Sequence, residues 1–315
     1  MPDGPIERRP EPDVPPPPPG VWPLGPAGMP PAQGGGAVVG AARGLGPGRG
    51  PLDGPFMTVP PFVGIGLSFV AIGLYLVAQL GLQVIVAVVL VGSGLVDPSV
   101  IDPEEGGAGL LGIVVASQFA GLVVTLLFLR IRRVPLRPLV GPIGPLGRNL
   151  GIGAGLGLLA IVGSTLIVSL LVALSGSDAA PEQVLTGGLM ETPLELALAV
   201  MAAVVLAPVA EELLFRGLLH RGLRRRIRIV PATALSSVLF AVVHVDVALS
   251  QPLALVGLTF VGVILAIAYE RTGSLIVPVV IHAVHNAVTI GAVVITSRLD
   301  LDLVGAGVVL LGTGR

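Results

Sequence analysis

Glu211 and Glu212 follow fifteen consecutive uncharged residues (196–210), and Arg216 stands four positions after the second acid. Farther on, isolated in equally apolar surroundings, come His244, then His282, His285 and Asn286. A carboxylate beside one or two imidazoles is a set suited to hydrolysis. The carboxylate takes a proton from water, and an amide N–H or an imidazolium stabilises the oxyanion formed on a peptide carbonyl. Two histidines and a glutamate equally suit a divalent metal such as zinc with one position left open. The spacing is not that of HExxH, because these groups come from three separate helices.

Helical spacing divides the two acids. Glu212 and Arg216 are i,i+4 in the favourable acid-before-base order, which predicts an internal ion pair. Glu211 points about 100° away and is left free for water or substrate. His282 and Asn286 are also i,i+4, as are Phe240 and His244, which places an aromatic wall one turn from an imidazole. His285 is turned off the His282–Asn286 face and reads as packing. His220, beside Arg221, is expected at the surface near the membrane edge.

The elements holding these groups are membrane helices. The chain is 53% hydrophobic and 12% charged, with a mean hydropathy of +0.94, where a soluble domain carries about 25% charged residues. Apolar runs predict helices over 62–96, 108–130, 150–174, 193–222, 231–249, 253–270 and 274–297, with 301–312 as a possible eighth. The fold class expected is therefore an all-α polytopic bundle of seven to eight transmembrane helices. The glycines at 151, 153, 155 and 157 allow close helix packing. Pro208 and Pro278 each remove a backbone donor near the polar groups, freeing carbonyls that side chains or water must satisfy. A net charge of −1 gives no sign of a nucleic-acid partner, and the absence of cysteine excludes disulfides and thiol chemistry.

Residues 1–58 are rich in Pro and Gly and are expected to form a disordered tail without a cleavable signal. The expected divisions are that tail, N-terminal transmembrane helices over 59–190, a core over 191–297 carrying the polar groups, and a short apolar segment over 298–315. All eighteen basic residues are arginine. They crowd the loops after the second, fourth and sixth helices, while the alternate loops carry Asp97, Asp102, Glu104, Glu105, Asp178, Glu182 and Glu191. This asymmetry predicts a cytoplasmic N-terminus and cytoplasmic Arg loops. The run Arg224–Arg226 reads as a topology anchor touching anionic lipid.

Three segments carry a resemblance. EELLFR (211–216), FAVVH (240–244) and HAVHN (282–286) match, in order, the EExxxR, FxxxH and HxxxN motifs of the CPBP intramembrane proteases. That family includes type II CAAX prenyl endopeptidase-like and Abi proteins. The resemblance covers about 193–290 and implies endopeptidase cleavage within a bacterial cell membrane, on a peptide or prenylated, CAAX-like protein. It implies that Glu211 and His244 activate water while His282 and Asn286 support the oxyanion. In the metalloprotease version, Glu211, His244 and His282 hold zinc. The rival functions are a non-enzymatic bacteriocin-immunity or partner-binding protein, and a proton-coupled transporter. The clustering of acids on one helix and the lack of an inverted repeat speak against the transporter.

Overall fold

The computed structural model describes residues 64–94, 107–175, 192–244 and 252–299. Among them lie eight helices and no strand: α1 (Ile65–Gly92), α2 (Gly107–Ile131), the short α3 (Leu136–Val140), α4 (Leu146–Ser175), α5 (Pro193–Arg224), α6 (Ile229–Val242), α7 (Ala254–Thr272) and α8 (Ile276–Leu299). Six of the described helices are long and apolar enough to cross a membrane. The expected tail and the segment 301–312 lie outside the described residues.

The fifth expected helix is corrected. It was expected over 231–249, but α6 closes at Val242 after 14 residues. At 1.5 Å per residue that is about 21 Å, short of the roughly 30 Å hydrocarbon layer. His244 therefore sits in the turn after a helix, with its N–H on the Ala241 carbonyl.

The central helix is α5. It starts with a reciprocal cap, in which Thr192 Oγ1 accepts from the Glu195 N–H and the Glu195 carboxylate accepts from the Thr192 N–H, with Pro193 in the first turn. Its Leu214, Phe215, Leu218 and Leu219 are buried, against a core completed by residues of α1, α2, α6, α7 and α8. Two stretches of α5, Met201–Leu206 and Leu213–His220, run in the wider π register. Such bulges re-aim side chains and are frequent at functional sites.

Half of the glycine pattern on α4 is used for contact. A Cβ on Gly153 or Gly157 would lie 2.5 or 2.8 Å from the side chains of Val280 or Val284 of α8, whereas Gly151 and Gly155 face open space. The Arg-rich loops meet at one end of the bundle. Arg221 donates to the Pro138 carbonyl at 2.9 Å, and the Leu275 N–H donates to the Val140 carbonyl at 2.8 Å. Gly141, at φ 75°, passes so close to the Gly273 carbonyl that a Cβ would stand 2.0 Å from its oxygen.

Candidate active site

α5 delivers the two acids, the end of α6 delivers His244, and α8 delivers His282 and Asn286. The Glu212–Arg216 pair forms as the spacing predicts, with Oε1 accepting from Nη1 at 2.9 Å and both side chains excluded from solvent. Arg216 also donates from Nη2 to the Gly262 carbonyl of α7 at 3.1 Å, and its guanidinium carbon lies 4.6 Å from the centroid of the Phe240 ring. Yet Arg216 Nε and Glu212 Oε2 are buried with no hydrogen-bond partner. A buried pair with two unsatisfied atoms is a weak source of stability, and its use is better sought in what it positions.

What it positions is His282. The same Glu212 Oε1 lies 3.1 Å from His282 Nδ1, and a carboxylate paired with arginine accepts, so Nδ1 carries the proton. At the other histidine, Nδ1 is 2.8 Å from the Phe240 carbonyl and must donate to it. Both rings are thus turned with Nε2 toward Glu211, whose Oε2 is 3.9 Å from His244 Nε2 and 4.0 Å from His282 Nε2. That oxygen is buried and has no hydrogen-bond partner. Phe240 packs edge-on against both imidazoles, at centroid distances of 5.0 and 5.6 Å. The expected aromatic wall stands between them.

Asn286 is engaged elsewhere. Its Nδ2 donates to the Ala203 carbonyl at 2.7 Å, which uses one of its two amide hydrogens. The reason lies in α5. The Ala207 N–H bonds to the Ala202 carbonyl in the π register, so the next donor in that register would be residue 208, a proline with no N–H. Ala203 is the carbonyl left without a helical donor, and Asn286 supplies one. Pro278 frees nothing comparable, because it stands in the first turn of α8. His285 does more than pack: its Nδ1 is 3.3 Å from Asn286 Oδ1 and its Nε2 is 3.5 Å from Ser164 Oγ of α4.

A metal can be tested against this geometry. Donors about 2.0–2.2 Å from one tetrahedral zinc stand about 3.4 Å apart. The separations of 3.9 and 4.0 Å around Glu211 are wider. Among the described residues no three His, Cys, Asp or Glu side chains converge as a metal site requires. The donor types suit zinc; their placement does not.

Two surface expectations are overturned. His220 is fully buried, with Nδ1 3.0 Å from Ser236 Oγ and Nε2 2.9 Å from Glu270 Oε1. Arg224 is likewise turned inward, donating at 2.5 Å to the same carboxylate oxygen. This cluster ties α5, α6 and α7 together near the Arg-rich end. Nothing in the local pattern marks it, since Glu270 lies fifty residues beyond His220.

Residues 193–288 match the family model described as Type II CAAX prenyl endopeptidase Rce1-like. This segment is similar to that family. The match begins at the first residue of α5 and takes in every motif residue from Glu211 to Asn286, so the CPBP resemblance of the motifs holds. The Rce1-like segment leaves α1 through α4 outside it. No curated protein and no solved structure matches the chain.

Proposed function

We propose that the protein is an intramembrane endopeptidase in which Glu211 is the base that activates water for attack on a peptide bond of a prenylated, CAAX-like or other membrane-associated protein. The observation that carries this reading is the Glu211 Oε2 atom. It is buried, has no hydrogen-bond partner, and faces two imidazole nitrogens whose rings are locked from behind. Three acceptor atoms do not face one another without a proton source between them. A water donating to Glu211 and to one Nε2 fills that need and keeps a lone pair for the carbonyl carbon.

In the reaction, Glu211 takes the water proton as the oxygen bonds to the carbonyl carbon, and the carbonyl electrons move onto its oxygen. His282 Nε2, an acceptor at rest, aims an N–H at that oxyanion only once it has taken a proton from solvent, the water then being held by Glu211 and His244 Nε2. The remaining amide hydrogen of Asn286 is the second candidate donor. Collapse expels the amine, which takes the proton back from Glu211. The three donors stand too far apart to share a metal, and this sequence of proton transfers needs none.

The site lies inside a bundle of membrane-spanning helices, so a substrate anchored in the same layer by a lipid chain reaches it without leaving the membrane. The Arg-rich loops, assigned to the cytoplasmic face of a bacterial cell membrane by their charge bias, would meet anionic lipid there. The test is cleavage of a prenylated CAAX peptide by purified protein in detergent. Mass spectrometry should find the truncated prenyl peptide with the native protein and none with Glu211→Gln. Equal cleavage by both would end this reading.

A further inference from the structure

His285 stands beside Asn286 on α8 and takes no part in the proton transfers, yet both of its ring nitrogens meet polar atoms inside the bundle. Nδ1 lies 3.3 Å from Asn286 Oδ1, and Nε2 lies 3.5 Å from Ser164 Oγ of α4. The small residues of α4 make the second contact possible. Gly153, Gly157, Ala160 and Ser164 are buried and follow at the alternating three- and four-residue steps of one helix face. A Cβ on Gly157 would stand 2.8 Å from the Val284 side chain and 3.0 Å from the Ile281 carbonyl oxygen. The two backbones therefore run close together, and Ser164, about two turns farther on, reaches His285. α7 closes the other side of the serine, where a Cβ on Gly257 would lie 3.5 Å from Ser164 Cβ. α4 lies outside the matched segment, so the family match does not cover this contact.

Asn286 decides where the protons sit. Its Nδ2 donates to the Ala203 carbonyl at 2.7 Å, so the amide nitrogen faces α5 and Oδ1 is the atom turned to His285. An amide oxygen only accepts, so His285 Nδ1 carries the proton and donates to it. Nε2 is then an acceptor, and the Ser164 hydroxyl is the donor beside it. That hydroxyl also lies 3.1 Å from the Ile161 carbonyl. Inside α4 this carbonyl already has a helical donor in the Thr165 N–H, so a turn of the hydroxyl to Nε2 strands nothing. The bonds then run in one direction, from Ser164 through His285 and Asn286 to the Ala203 carbonyl. An amide held at both ends has its plane fixed, and with it the direction of the one N–H still unused. Accepting at its oxygen also polarises that N–H. We propose that His285 is a positioning residue for Asn286, aiming the remaining amide N–H at the oxyanion. The proposal rests on the endopeptidase reading, with Asn286 as the second oxyanion donor.

The experiment compares variants of the purified full chain on a prenylated CAAX peptide. His285→Leu keeps the bulk and removes the donor. Its kcat should fall about fivefold, the loss of one neutral hydrogen bond, with KM little changed. His285→Asn is smaller but puts an amide N–H where Nδ1 stood, and it should recover most of that kcat. A side chain needed only for packing would give the reverse order, because leucine fills the space better. In an Asn286→Ala background His285→Leu should cost no further kcat, since both changes act through one amide. Native kcat in His285→Leu or in Asn286→Ala would overturn the proposal. So would a His285→Asn no faster than His285→Leu, or a full second loss in the Asn286→Ala background. Glu211→Gln, assayed alongside, tests the underlying reading separately. A dead Glu211→Gln beside a native His285→Leu ends this inference alone, whereas cleavage by Glu211→Gln ends the base assignment.

Discussion

Glu212 accepts from His282 at 3.1 Å, so the acid that neutralises Arg216 also sets the direction of an imidazole. The consecutive acids bracket one ring, with Glu212 at Nδ1 and Glu211 facing Nε2 at 4.0 Å. Two neighbours on a helix point about 100° apart, which is why both can reach opposite edges of a ring from α8.

Their loss should therefore differ in kind. Glu211→Gln removes proton transfer and leaves the bundle intact: a protein with native melting temperature in detergent and a rate about 10²-fold lower or worse. Glu212→Gln strands a buried guanidinium, for which about 3–5 kcal/mol is typical, and also releases His282. It should lower melting temperature and rate together, as should Arg216→Leu. A Glu212→Gln protein that is fully stable but inactive would reverse the assignment.

The readable part of this site was the part that helical spacing controls. Glu212 and Arg216 lie on one helix and met as their i,i+4 positions require, and Phe240 and His244 still meet although the helix ends between them. The end of α6 was not readable, because the apolar run through Val242 continues without a Gly or Pro to mark the stop. His220 looked like an interfacial residue because its burial depends on Ser236 and Glu270, which only the packing of three helices brings to it. The Asn286–Ala203 bond required knowing that α5 widens into the π register before Pro208.

The metal question has a direct test. With donors spaced too widely for zinc, cleavage of a prenylated CAAX peptide should survive exhaustive chelation, and elemental analysis should find well under one zinc per chain. Activity lost to the chelator and restored by zinc alone, together with metal lost from His244→Ala, would mean that the three groups close around an ion.

Orientation can be read with single cysteines, since the native chain has none. Ile143 is 61% exposed at the Arg-rich end, and Ser93 is exposed after α1 at the other end. In intact cells an impermeant thiol reagent should label Ser93→Cys and spare Ile143→Cys, with both labelled after lysis. The opposite pattern would invert the charge-based topology.

Asn286 offers a way to separate structure from chemistry. It fills the place of the N–H that Pro208 lacks, donating to the Ala203 carbonyl at 2.7 Å. Asn286→Ala should leave that part-buried carbonyl unpaired, at a cost of about 1 kcal/mol, seen as a lower melting temperature. Adding Pro208→Ala restores a backbone donor in the register already used by Ala207 and Ala202, so the double variant should recover much of the lost stability. If the second amide hydrogen of Asn286 also serves the oxyanion, turnover will stay low in the recovered protein. If Asn286 only braces α5 against α8, turnover will return with the melting temperature. A double variant no more stable than Asn286→Ala would mean that Pro208 is not the reason the Ala203 carbonyl is free.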